Sequence, residues 1–149
     1  MRSILSVLLV ICVLASVAYG MGKKEEGTPV QFEVVDSSER GGTSEELFLI
    51  AKAEKDFKYI WDLTHRQIEP KPEMPSIDFG EYVVACIMMG ERSTSGYSVD
   101  VSDVVAYKDS VVVGYTYDES GGMLTVMSYP YEIIKFPKTS NKIVFKKRQ

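Results

Sequence analysis

Hydrophobic and polar positions divide the chain into stretches of different period. Ile4 to Val17 is apolar apart from Ser6, Cys12 and Ser16, and only Arg2 precedes it as a charge. Small residues follow at Ala18 and Gly20, on either side of Tyr19. A positive start, a short apolar run and a small-residue pair make the pattern of a secretory signal peptide, so residues 1–20 are expected to be removed by cleavage near Gly20. A spanning helix needs about 20 apolar residues, more than this run offers. An uncleaved anchor is the alternative. Cys12 follows Ile11 inside the run and not a small residue near its end, which argues against lipid attachment.

Residues 21–29 form a polar, charged lead, read as a flexible tether, and 30–149 are expected to form one domain. Val30–Val35 alternates well enough for a first strand, and Asp36–Thr43 is a loop of small and polar residues. Leu47–Ala53 (LFLIAKA) is an apolar run whose period does not separate a buried strand from the start of a helix. The preferred reading is a strand over 46–52 and a helix over 54–66. Phe57, Ile60, Trp61 and Thr64 then share one helix face, with Glu54 and Asp56 at the start and His65 and Arg66 at the end. Three prolines in Glu69–Pro75 exclude regular structure there.

Beyond Tyr82 the period changes. Tyr82–Met89 (YVVACIMM) is apolar at nearly every position and predicts a strand covered on both faces. Tyr97–Asp103 alternates, with Tyr97, Val99 and Val101 on one face and Ser98, Asp100 and Ser102 on the other. Ser110–Asp118 follows the turn Lys108–Asp109 at hairpin spacing. Strands are also expected at Leu124–Ser128, Tyr131–Phe136 and Lys142–Lys147, with Pro130 at an edge or bulge. The fold class is α+β: a mostly antiparallel β-sheet with one main helix packed on it, in a single domain.

Composition narrows the function. The 149 residues are 45% hydrophobic, 26% charged and 11% aromatic, as in an ordinary globular protein. A net charge of −4 argues against nucleic acid, which demands a basic field, and against a membrane surface beyond the signal segment. Without residues 1–20 a single cysteine, Cys86, remains, so no internal disulfide is expected. About 130 residues can close a core without one.

Catalytic residue types are scarce. A Ser-His-Asp or Cys-His arrangement would have to use His65, the only histidine, and His65 reads as the cation at a helix end. Cys86 lies in an apolar run and reads as a small buried hydrophobe. One histidine and one cysteine cannot assemble a Cys/His zinc cluster. Asp100 and Asp103 lack the surroundings of an EF-hand loop and read as a solvated strand face. Gly121–Gly122 has no helix after it to aim at a phosphate. No catalytic residue, metal or cofactor is expected.

Three stretches stand apart: Gly90–Tyr97 (GERSTSGY), Ser120–Met123 (SGGM) and Ser128–Tyr131 (SYPY). Six of the nine tyrosines lie between Tyr97 and Tyr131. Tyrosines beside small, adaptable loop residues favour protein contact, because they offer much area for little lost entropy. Tyr115 and Tyr117 share a strand face and read more simply as half-buried sheet residues.

The same stretches carry a resemblance. Ile77-Asp78-Phe79, the apolar strand, GERSTSGYSVDV and GGMLTVMSYPYEIIKFPK together resemble the PrcB C-terminal domain family over residues 77–138. Gly90, Arg92, Thr94, Gly96 and Tyr97 match its G-x-R-x-T-x-G-Y loop. Gly122, Thr125, Pro130 and Tyr131 match its later segment, and Trp61 resembles its upstream tryptophan. Ser93 stands where the family often has proline and Ser95 where it often has glycine, which should loosen the loop. The resemblance implies an exported bacterial protein, periplasmic or extracellular, without enzymatic activity. It also implies a partner: the family is named for a subunit that binds and stabilises a subtilisin-like protease.

The expected function is therefore a binding module for another exported protein. Arg92, Thr94, Tyr97, Tyr129 and Tyr131 are its expected contact residues, and Gly90, Gly96, Gly121, Gly122 and Pro130 shape the loops. Two alternatives stand beside it. The RSTSGY segment is similar to the NPTTGY loop of chagasin-type proteinase inhibitors, although the interval from Gly122 to Pro130 is short for that group. A hydrolase using paired carboxylates is the other.

Overall fold

The structure, a computed structural model, describes residues 25–149. The expected signal segment at 1–20 and the first residues of the lead lie outside the described residues. The elements run β1 (Thr28–Pro29), β2 (Glu33–Ser38), β3 (Leu47–Ala51), α1 (Glu54–Thr64), β4 (Tyr82–Met88), β5 (Ser98–Ala106), β6 (Ser110–Asp118), β7 (Tyr131–Pro137) and β8 (Lys142–Lys147).

The strands form two four-stranded sheets where the sequence predicted one. Their orders are β1-β5-β6-β8 and β2-β7-β4-β3. All pairings are antiparallel except β6 with β8, which is parallel. The second sheet lies between α1 and the first sheet, and this position explains the unbroken apolar run of β4. Val83, Ala85, Ile87 and Met89 of β4, with Ile134 and Phe136 of β7 beside them, face the other sheet and meet its Val99, Val104 and Val113. Val84, Cys86 and Met88 face the helix, meeting Phe57, Ile60, Trp61 and Ile133. A strand covered on both sides needs apolar residues at both parities.

Helix α1 carries its apolar residues at the predicted spacing and ends two residues earlier than expected. His65 is not a solvent-facing cation: it is 3% exposed, its backbone N–H caps the helix on the Trp61 carbonyl, and its ring stacks on Trp61. The expected first strand at 30–35 is displaced to 33–38. Thr28–Pro29, assigned to the flexible lead, pairs with Val105 and Ala106 of β5. In β5 a bulge between Val101 and Asp103 shifts the alternation, which lets the strand run on to Ala106 with Val104 buried. The expected strand at 124–128 is absent; that stretch belongs to a loop whose ladder-like contacts are two isolated bridges, from Ser128 to Arg92 and from Tyr129 to Arg40. Tyr115 is buried and Tyr117 half-buried, in keeping with their reading as sheet residues.

Candidate functional site

Three loops meet at one end of the sandwich: residues 39–46, 90–97 and 119–130. The backbone binds them together. Arg92 and Ser128 exchange both N–H···O bonds, at 2.8 and 2.9 Å. Ser95 N–H donates to the Leu124 carbonyl at 3.1 Å, and Gly122 N–H donates to that of Ser95. Both of these loops are also bonded to the first: Glu91 N–H donates to the Ser44 carbonyl at 3.0 Å, Tyr129 N–H donates to that of Glu39 at 2.8 Å, and Gly96 N–H donates to the Glu39 carboxylate at 2.9 Å.

Gly96 is what lets two of the loops touch. Its φ is +83°, and a Cβ there would lie 2.6 Å from Gly122 N and 2.8 Å from Gly121 C, both backbone atoms. Gly90 and Gly121 also turn through positive φ, and at Gly122 the missing Cβ leaves room for the Ser95 hydroxyl. Pro130 is buried, and its carbonyl accepts from Met89 N–H at 2.8 Å. Of the five loop-shaping residues, Gly96, Gly121 and Gly122 come together, while Gly90 packs on the backbone of residues 44–46 and Pro130 bonds to Met89.

The expected contact residues divide. Arg92 is half-buried, donates from Nη1 to the Glu91 carbonyl at 2.9 Å and holds its guanidinium carbon 5.9 Å from the Tyr97 ring centroid. Thr94 accepts the Ser128 hydroxyl on its carbonyl at 2.6 Å. Tyr97 is half-buried against the inter-sheet core. Tyr129 donates to Glu91 Oε2 at 2.9 Å, a bond that raises its phenol above the ordinary value. Tyr131 is a correction: at 2% exposure it is a core residue and offers no area to a partner. Its strand position opposite Met88 turns the ring onto the helix side of the sheet.

The surface of this end comes from Met123 of the expected SGGM loop and from residues of the expected strand at 124–128. Met123 is fully exposed, Leu124 is 64% exposed, Val126 56% and Met127 50%. An isolated exposed apolar residue is ordinary; four within five positions of one loop are not. Covering such side chains is worth about 1.5–3 kcal/mol each. Beside them, Arg40, Gln67, Glu69, Val126, Met127 and Tyr129 line an open cleft of about 570 Å³. The signal was present in MLTVM, held between Gly121-Gly122 and Pro130, but a short apolar stretch bounded by turn residues also has the form of a strand.

Beneath the loops lies a polar centre. Tyr131 donates to Asp36 Oδ2 at 2.6 Å, and His65 Nε2 lies 2.9 Å from the same oxygen. His65 Nδ1 lies 2.9 Å from the Trp61 carbonyl and 2.9 Å from Thr64 Oγ1. Burial, and then the Asp36 charge, push the Tyr131 phenol up, so it remains a donor at neutral pH. Burial likewise pushes the Cys86 thiol up, which disfavours the nucleophilic thiolate. Among the described residues no three His, Cys, Asp or Glu side chains are grouped to hold a metal ion. No helix among them is long and apolar enough to cross a membrane.

Residues 82–137 match the sequence model of a family described as PrcB C-terminal. The matched stretch runs from β4 to the end of β7 and contains both loops 90–97 and 119–130. No curated protein and no solved structure matches.

Proposed function

We propose, from the premise that this chain belongs through residues 82–137 to the PrcB C-terminal family, that it is an exported, non-enzymatic binding module. It docks on a second exported protein, a subtilisin-like protease in the reading its family favours, and holds it in its active fold. The supporting observation is the exposed apolar set Met123, Leu124, Val126 and Met127, carried on a loop that backbone hydrogen bonds hold to two others. A surface already rigid loses little entropy on binding, so more of the buried area becomes affinity.

The placement of the lead supports the same reading. Thr28 pairs with Ala106, at the end of β5 remote from Ser98 and the loops. Eight residue steps along the strand separate these ends, about 27 Å. The apolar loop is thus at the end of the sandwich opposite the lead, which leaves it clear of the lead for a partner.

The test mixes the protein with a purified subtilisin-like protease from the same exported fraction. Complex formation by size exclusion and a longer half-life of protease activity on heating are expected. Leu124→Ser with Met127→Ser should abolish both while leaving thermal stability within about 0.5 kcal/mol, as for exposed positions generally. Equal protection by the double variant would remove the proposed surface.

A further inference from the structure

The four terminal strands of the two sheets are β1, β8, β2 and β3, and three of them carry devices that oppose further pairing. β1 is two residues long and ends in Pro29. β8 has Lys142, Lys146 and Lys147. β2 has Glu33 and Asp36 and slips register between Val34 and Asp36. Short length, proline, charge and bulges are the recognised protections of a sheet edge. β3 has none of these. It reads Leu-Phe-Leu-Ile-Ala and pairs with β4 in unbroken register through all five residues. Phe48 on it stays 36% exposed, its ring 5.1 Å from that of Phe145 and 5.4 Å from that of Tyr115.

We propose that β3 is a self-association edge, on which the β3 strand of a second copy of this chain pairs antiparallel about a two-fold axis through Leu49. The resulting sheet is continuous across eight strands. The choice of a second copy rests on charge complementarity at the strand ends. With Leu49 opposite Leu49, Phe48 faces Ile50 and Leu47 faces Ala51, so no charge is buried within the strand. One step beyond, Glu46 falls opposite the partner's Lys52, and the symmetry repeats the pair. Both residues are exposed. Opposite charges directly across a pair of strands stabilise it, and like charges destabilise it. A parallel arrangement would set Glu46 beside Glu46 and Lys52 beside Lys52.

Sedimentation equilibrium of the full chain over about 1–200 µM, where weak symmetric contacts register, tests this. The mass is expected to rise toward twice the monomer value. Lys52→Glu should return it to the monomer value, as should Glu46→Lys, and the doubly exchanged protein should associate again. Glu46 also accepts the Tyr117 hydroxyl at 2.5 Å, so Phe48→Lys provides a second variant should Glu46→Lys fail to fold; it too should be monomeric. A monomer at every concentration overturns the proposal. So does association that none of these substitutions changes, since the apolar N-terminal segment or a different face would then be responsible.

Discussion

The Tyr131 hydroxyl donates to Asp36 Oδ2 at 2.6 Å, and through this bond β7, at the centre of its sheet, is tied to the edge strand β2. His65, at the end of α1, faces the same carboxylate oxygen. Three elements distant in sequence therefore share one oxygen atom. Tyr131→Phe keeps the ring in the helix-side core and deletes only the donor. A hydrogen bond to a charged acceptor is worth about 1.5–3 kcal/mol, and water reaching the half-buried Asp36 lowers this to about 1–2 kcal/mol. Urea denaturation should show that loss, with protease protection unchanged at temperatures where the variant stays folded. Protection lost from a folded Tyr131→Phe protein would return Tyr131 to the contact surface.

Legibility of the fold followed how local its causes were. β4, β6 and β8 could be placed within a residue, because an apolar run or an alternating one reports directly on what covers it. The two sheets could not be separated: period 2 tells which side chains share a face, not which strand lies alongside. Tyr131 shows the same limit within the site. Beside Pro130 and Tyr129 it reads as a loop aromatic, and only its pairing with Met88 decides that it faces the helix. His65 was misread because helix-end chemistry is local, whereas its burial depends on Asp36 and Tyr131, which arrive from two other strands. The loops were legible through their glycines. The apolar residues between Gly122 and Pro130 were not, since a short apolar stretch has the same form in a strand and in an exposed loop.

Glu132 neighbours Tyr131 but faces the opposite sheet, where its carboxylate accepts the Val101 N–H at the bulge of β5. Burial, with a smaller push from Asp100, raises its carboxyl above the ordinary 4.5; the bond from Val101 opposes this without reversing it. A raised folded-state value means that the folded protein holds its proton to higher pH than the unfolded chain does. This group therefore costs nothing below about 4.5 and destabilises progressively as pH rises through its folded value. Glu132→Gln keeps an acceptor for Val101 and removes the charge. Denaturation across pH 4–8 should show the variant gaining on the wild type as pH rises; parallel curves would contradict this account.

Asp103 behaves in the opposite sense. Arg148 donates to it from Nε at 3.0 Å and from Nη2 at 2.5 Å, and this pairing lowers the Asp103 carboxyl below its ordinary 3.8. The stabilisation is present above that ordinary value and is lost as pH falls through the lowered one. Both side chains are about one-third exposed, so the pair is worth about 0.5–1 kcal/mol. It crosses Gly114 of β6, where a Cβ would fall inside contact distance of Asp103 Oδ1 and Arg148 Nε. Gly114→Ala should displace the pair, and its cost should not add fully to that of Asp103→Asn in a double-mutant cycle at pH 7. Full additivity would show that the glycine serves something other than the ion pair.

Gly96→Ala separates loop order from apolar content. The substitution leaves Met123, Leu124, Val126 and Met127 in place and sets a methyl group against the backbone of Gly121 and Gly122. A positive φ for alanine adds about 1–2 kcal/mol of strain, while the strands of both cores keep their packing. The variant should therefore stay folded but lose the Ser95–Leu124 and Gly122–Ser95 bonds. Faster amide exchange at Ser95 and Gly122, with strand amides unchanged, would report that loss. On the proposed docking function, affinity depends on presenting the apolar residues without an ordering cost, so binding to the proposed protease partner should weaken roughly tenfold, the equivalent of about 1.4 kcal/mol. Undiminished binding by a variant whose loop amides exchange freely would mean that the four residues act by composition alone, and that the bonded loop frame is incidental to recognition.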